Sequence, residues 1–188
     1  MQKIDKEKFL FLYVNEYGEL KESQRDGILF LLSKLCGDSL IIDIRHAAYM
    51  LATVKHECAG RWQPIEEFDK GAGRKYGKPA ANGKTFYGRG YVQLTWAENY
   101  QTMGQALGID LYNHPEMACT PDVAYKIMSR GMRKGSFTGV KLLTYIDGEK
   151  CDYHNARKII NGLDCAEKIA GYAQKIEAML NQSREVTA

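Results

Sequence analysis

Three carboxylates stand close together in the sequence: Glu57, at the end of an apolar run with helical spacing, and the adjacent pair Glu66 and Glu67 beyond Gly60 and Pro64. A carboxylic acid that gives up a proton and a carboxylate that activates water are together sufficient to hydrolyse a glycosidic bond. The acid must keep its proton near neutral pH. Burial against apolar neighbours favours that, and the carbonyl end of a helix adds to it by disfavouring negative charge. Glu57 is placed for both. In an inverting reaction the two carboxyl groups lie about 6.5–9.5 Å apart, with room for a water between base and sugar. A residue across a turn from a helix end meets that distance, so Glu66 or Glu67 is the expected base, with Asp69 a weaker candidate. The competing structural readings are Glu57 solvated or paired with Arg61, and Glu66-Glu67 as an acidic pair balancing nearby lysines.

The polar and aromatic segment Tyr87-Gly88-Arg89-Gly90-Tyr91-Val92-Gln93-Leu94-Thr95-Trp96 follows. Gly88 and Gly90 permit close backbone approach, and Gln93 and Thr95 share a face if residues 91–94 form a strand. Amides and hydroxyls there can pair with sugar hydroxyl and N-acetyl groups. Tyr87, Tyr91 and Trp96 offer flat faces for pyranose rings, core packing being the alternative for Tyr91 and Trp96. Other chemistries fit less well. A zinc-protease helix needs a histidine where Gly60 stands, and Cys151 and His154 lack a companion ligand pair, so neither metal nor other cofactor is expected. Cys58 neighbours His56, but adjacent helical residues do not face each other as a thiolate–imidazole pair must.

The elements that must position these groups read as helices over residues 5–17, 23–36 (capped by Ser23) and 44–58, the last carrying Glu57. Residues 61–95 differ in kind. Six of the 18 glycines fall between Gly71 and Gly90, among Arg74, Lys75, Lys78 and Lys84, which predicts a loop-rich lobe with one short hairpin. Helices resume over 96–107, from Pro121 to about Arg133 behind Thr120, from a Thr138 cap through Ile146, and over 152–160 and 165–180. The net charge of +3, from 26 basic and 23 acidic residues, suits approach to an anionic polymer such as a bacterial cell wall and is too weak to argue for nucleic acid. No signal peptide is read in Met1–Lys8 and the residues after it, and the apolar run at 28–32 is too short to span a bilayer. Five scattered cysteines without a CxxC pair suggest reduced thiols in a cytosol.

The segment from Tyr87 to Tyr100 resembles the YYGRGPIQLSxNxNY signature of glycoside hydrolase family 19, with Phe86 for the first tyrosine. Val54-Lys55-His56-Glu57 is similar to the family's helix ending in His-Glu. Leu111–Glu116, Ile159-Ile160-Asn161-Gly162 and Lys168–Tyr172 are similar to its later motifs, so the likeness runs over about 44–180. It implies a mainly α, lysozyme-like helical domain, 1–188, with the glycine-rich lobe overhanging a cleft. It also implies Glu57 as acid, the short spacing favouring Glu66 over Glu67 as base, and sugar contacts from Tyr87, Arg89, Gln93, Thr95, Asn99 and Asn161, Thr95 helping to place the water. Lys168 stands where the family has an arginine that orients the base, and a lysine lacks the bidentate fork. The expected activity is inverting cleavage of β-1,4 bonds in peptidoglycan by a monomeric phage-type endolysin that reaches the wall from the host cytosol by a holin route. A chitinase is the alternative, and a non-catalytic glycan binder or a cysteine amidase is more remote.

Overall fold

The computed structural model describes residues 3–185; Met1 and Gln2, at the head of the stretch screened for a leader, lie outside it. Helices α1 (Lys6–Tyr17) and α2 (Glu22–Gly37) precede α3 (Ile44–Glu57), in which every side chain from His46 to Val54 is buried. A helix apolar on all sides belongs in the middle of a bundle. The Asp43 carboxylate starts it by accepting the Arg45 N–H at 2.9 Å. The first helices bring Phe9, Leu10, Ile28, Leu31 and Leu35 to the same core.

Ser23 does not cap α2. The cap position is Lys21, whose N–H is taken by the Gln24 side chain at 2.9 Å, so the helix begins two residues earlier than a Ser23 cap would place it. The lobe that follows α3 is loop-rich, as its glycines require. Its sheet is a two-residue antiparallel ladder of β1 (Ile65–Glu66) and β2 (Arg89–Gly90), with Glu66 opposite Arg89. The expected strand at 91–94 is absent. Arg89 and Leu94 instead close a turn through their N–H and C=O groups at 3.2 and 2.9 Å, and Gln93 sits inside it at φ 53°. Gln93 and Thr95 therefore do not alternate on a strand.

Beyond the lobe run α4 (Ala97–Leu107) and α5 (Pro121–Lys134). The helix expected from Thr138 shrinks to α6 (Leu142–Tyr145), followed by the hairpin β3 (Ile146–Asp147) and β4 (Lys150–Cys151). Thr138 does not cap it, because its hydroxyl is donated to the Lys158 carbonyl at 2.6 Å. Residues 152–160 form a 3-10 turn, Asn155–Ile159, whose start is fixed by the Asp152 carboxylate on the Asn155 N–H. The last helix, α7 (Ala166–Gln182), lies along α3 and buries Ile169, Ala173, Ile176 and Leu180. The described ends of the chain meet, the Asp5 N–H donating to the Ser183 carbonyl at 2.8 Å.

Candidate active site

Glu57 is the last residue of α3, and the chain then reverses through a turn anchored on the start of α2. Gln24 Nε2 donates to the Gly60 carbonyl at 2.8 Å and Gln63 Nε2 to the Ser23 carbonyl at 2.6 Å. Between them the buried Trp62, at φ 60°, donates its indole N–H to the Tyr13 hydroxyl at 3.2 Å. Its carbonyl lies so close to α2 that a Cβ on Gly27 would stand 2.1 Å from it. Across this turn the Cys58 thiol packs on the Gly90 and Tyr91 carbonyls, both at 3.8 Å, and Gly90 pairs with Ile65. The end of α3 and the β1–β2 ladder are thus locked side by side, with Glu57 on one and Glu66 on the other.

The environment of Glu57 differs from the apolar wall expected of it. Its partner is not the exposed Arg61 but Arg157, whose Nη1 stands 2.5 Å from Glu57 Oε1. The Arg157 side chain is only 3% exposed and that of Glu57 15%. Arg157 is itself held by its Nε, which donates to the Asp164 carbonyl at 2.9 Å. It was invisible in the sequence, being one arginine in a short turn a hundred residues away with no spacing that ties it to Glu57. Beside the pair, His56 is held toward its neutral form by burial.

Glu66 and Glu67 are neighbours with opposite fates. Glu67 is built into the backbone: Oε1 accepts from the Tyr76 hydroxyl at 2.8 Å, Oε2 from the Gly88 N–H at 3.0 Å, and its own N–H donates to the Gly88 carbonyl at 2.7 Å. Glu66 keeps 39% of its side chain exposed. Its Oε1 accepts from the Tyr87 hydroxyl at 2.7 Å and from Arg89 Nε at 3.3 Å, while Lys70 Nζ lies 3.5 Å from Oε2. These donors, the Tyr87 hydroxyl foremost, hold the Glu66 carboxyl below the usual range, so it is ionised at neutral pH.

Tyr87 and Arg89 therefore lie behind Glu66, not in the cleft where the sequence reading put them. Both are buried, and the Arg89 guanidinium stacks 3.6 Å above the Tyr87 ring. Arg89 Nη1 also donates to the Thr85 carbonyl at 3.0 Å and to the Tyr100 hydroxyl at 3.2 Å. The Gln93 amide N–H groups reach the Ile65 and Gly90 carbonyls, both at 3.2 Å, and pin the ladder. Asn99 Nδ2 donates to the Thr95 carbonyl at 2.9 Å, and both residues stay half-buried at the start of α4. Trp96 is 47% exposed and meets Tyr76 edge to face at 5.3 Å, whereas Tyr91 is core. Asn161 is exposed one turn beyond Arg157, its N–H on the Arg157 carbonyl at 3.0 Å. Lys168 makes no ion pair with Glu66 or Glu67. It is exposed on α7, and its charge acts on His56 and Lys55, next to Glu57 in sequence. The thiol reading fails as well, since burial pushes the Cys58 thiol far up.

The described residues form a helical, lysozyme-like domain that sets Glu57 and Glu66 on neighbouring elements beside a loop lobe. Residues 42–129 match the family 19 glycoside hydrolases, described as chitinase class I. The chain is chitinase-like in that segment and in its fold. It is 42% identical over 89 residues to Endochitinase At2g43590 of Arabidopsis thaliana, a match covering 44% of this chain and 33% of the plant protein. It is 53% identical over 45 residues to Inactive chitinase-like protein 1 of Hevea brasiliensis, covering 24% and 14% of the two chains. The chain spans about a third or less of the length of these curated relatives. In structure it is similar to chitinase C from Streptomyces griseus, with a TM-score of 0.63 at 22% identity over 95% of this chain and 92% of that one. A bacterial family 19 chitinase superposes with a TM-score of 0.58 at 25% identity, covering 94% of each chain. The matched segment holds Glu57, Glu66 and Glu67 but ends before Arg157, Asn161 and Lys168.

Proposed function

We propose that the chain is a glycoside hydrolase that cleaves β-1,4 bonds between N-acetylated amino sugars by inversion, with Glu57 as general acid and Glu66 as general base. One observation carries the reading: Glu66 alone of the adjacent pair is both open to solvent and held ionised by three donors, while Glu67 is consumed by backbone and Tyr76. A relative named inactive shows that likeness alone does not make a hydrolase, so the reading rests on these residues.

Glu57 gives its proton to the leaving oxygen while Glu66 takes one from the water that attacks the opposite face of the sugar. As Glu57 loses its proton, the Arg157 guanidinium stabilises the charge that appears, an interaction stronger in the transition state than in the ground state. Tyr87 and Arg89 are positioning residues for the base. On this reading Thr95, Asn99 and Asn161 contact the sugar, Gln93 holds the ladder behind them, and Thr95 helps to place the water.

The named relatives favour a chitin-type polymer of N-acetylglucosamine as substrate. The test is proton NMR of N-acetylglucosamine hexamer during hydrolysis. Fresh α-anomer at the new reducing ends, abolished in Glu57→Gln and Glu66→Gln, is the expected result; β-anomer or unchanged turnover in either variant rejects it. The second reading is peptidoglycan, cut by a monomeric wall-lytic enzyme stored in a bacterial cytosol. It is favoured by the basic lobe beside the cleft.

A further inference from the structure

The chain's positive charge is not spread over it. Of 26 basic and 23 acidic residues, residues 69–85 hold five basic (Lys70, Arg74, Lys75, Lys78, Lys84) and one acidic (Asp69). The rest, with 21 basic and 22 acidic, is one charge negative, so the lobe carries the whole excess. All five cations are exposed. Arg74, Lys75 and Lys78 form no side-chain ion pair among the described residues.

The fold displays them on an ordered support. Gly71 and Gly77 meet backbone to backbone, so that a Cβ on Gly77 would stand 2.0 Å from the Gly71 carbonyl oxygen. This closes a loop with Arg74 and Lys75 at its tip, the Arg74 N–H on the Gly71 carbonyl at 2.9 Å. A second turn, closed by the Ala80 N–H on the Lys84 carbonyl at 2.8 Å, is tied to the body by Asn82 Nδ2 on the Tyr112 carbonyl at 2.8 Å. The lobe joins the candidate site through Tyr76, which binds Glu67 and packs on the exposed Trp96. Like charges crowded on a short support repel one another, a cost that an anionic partner removes.

We propose that the lobe docks an anionic polysaccharide, one whose amino sugars bear carboxylate-carrying peptides as those of peptidoglycan do, and holds it against the candidate site. Neutral chitin has no charge for these cations to meet. The inference rests on reading the cleft as a glycan site, but it concerns binding and not bond cleavage. Four cations outside the candidate acid–base machinery, Arg74, Lys75, Lys78 and Lys84, supply the attraction, which falls as salt shortens the screening length to about 3 Å near 1 M.

The test is co-sedimentation with purified peptidoglycan sacculi and with chitin particles at several salt concentrations, on a Glu57→Gln background so that nothing is consumed. It compares the parent with a variant in which Arg74, Lys75, Lys78 and Lys84 become glutamine. Expected is at least tenfold weaker binding of the variant to sacculi at low salt, a difference that vanishes near 1 M, and unchanged binding to chitin. Undiminished binding to sacculi overturns the proposal. So does an equal loss on chitin, which would make the lobe a sugar contact, or tighter binding to duplex DNA than to sacculi. The same four substitutions in the otherwise wild-type chain should leave hydrolysis of neutral N-acetylglucosamine hexamer unchanged. If no hexamer is cleaved by either chain, the hydrolase reading fails while sedimentation still decides the lobe.

Discussion

Replacing Arg157 by methionine removes the only charged group in ion-pair contact with Glu57 among the described residues and keeps most of the volume. Two effects can be sized. Breaking a buried ion pair by removing one partner costs about 3–5 kcal/mol, because the other charge is stranded. The Glu57 side chain keeps 15% exposure, so the lower end applies. At about 2–4 °C per kcal/mol for a chain of this size, a loss near ~3 kcal/mol lowers the melting temperature by about 6–12 °C. The catalytic effect belongs to a different protonation state, the substrate-bound one in which Glu57 carries the proton it gives to the leaving oxygen. A charge-assisted hydrogen bond is worth about 1.5–3 kcal/mol, and if ~2 kcal/mol of it is realised as that proton leaves, kcat falls about thirtyfold. Arg157→Lys keeps the charge but loses the Nε donor to the Asp164 carbonyl, so it should fall between wild type and methionine in both readouts. In Glu57→Gln no charge is left to strand, so adding Arg157→Met there should cost well under the single change. The assays are calorimetric melting and hexamer turnover below the melting range. A methionine variant with kcat within threefold of wild type would show that Arg157 does not stabilise the charge developing on Glu57, and additive losses in the cycle would show no coupling at all.

Five further substitutions test other contacts. Glu66→Gln should cut hexamer turnover at least a thousandfold with little change in melting. Glu67→Gln should cost under about 1 kcal/mol of stability, because the amide oxygen can accept the Gly88 N–H while its nitrogen donates to the Tyr76 hydroxyl, and turnover should fall far less than in Glu66→Gln; equal losses of turnover would leave the base unassigned. Tyr87→Phe removes the foremost donor that holds the Glu66 carboxyl low, so the acidic limb of kcat/KM should move up toward the ordinary 4.5, and an unmoved limb would separate Tyr87 from the base. Lys55 lies under the rings of Tyr13, Tyr17 and Tyr172, and burial aided by the Lys168 ammonium pushes it down to about 8 from 10.5. Above that value the folded chain sheds a proton that the unfolded chain keeps, so the melting temperature should climb between pH 8 and 10 and flatten in Lys55→Met. Gly27→Ala puts a methyl 2.1 Å from the Trp62 carbonyl oxygen and should lower stability by about 2–4 kcal/mol, seen in denaturant melts.

What was legible in the sequence is what local pattern encodes. The apolar run ending at Glu57 produced α3 at nearly the expected bounds, and the glycines between Gly71 and Gly90 marked the loop lobe. Where non-local hydrogen bonds decide, the reading slipped. Thr138 and Ser23 have capping chemistry, but the Thr138 hydroxyl donates to the Lys158 carbonyl, and at α2 the Gln24 side chain accepts the Lys21 N–H instead. Residues 91–94 alternate as a strand would, yet Gln93 spends its amide on Ile65 and Gly90 and closes a turn. Arg157 is the clearest omission. Its contact with Glu57 exists only because the 3-10 turn before α7 is brought onto the end of α3, and no periodicity reports that.

The choice between Glu66 and Glu67 shows why residue type and spacing could not assign the base. The two are chemically identical, adjacent and flanked by the same lysines, so spacing from Glu57 separates them by one residue only. Adjacent side chains on an extended segment point to opposite sides, and the pairing of Glu66 with Arg89 decides which side each takes. One side meets Gly88 and Tyr76, where a carboxylate is worth most as a fixed acceptor. The other meets Tyr87, Arg89 and Lys70 at the edge of solvent, where a carboxylate stays ionised and can still reach water. A slip of the two-residue ladder by one position would exchange the two glutamates, so the register of β1 on β2, held by Gln93 and by Cys58 on Gly90, is what gives Glu66 its chemistry.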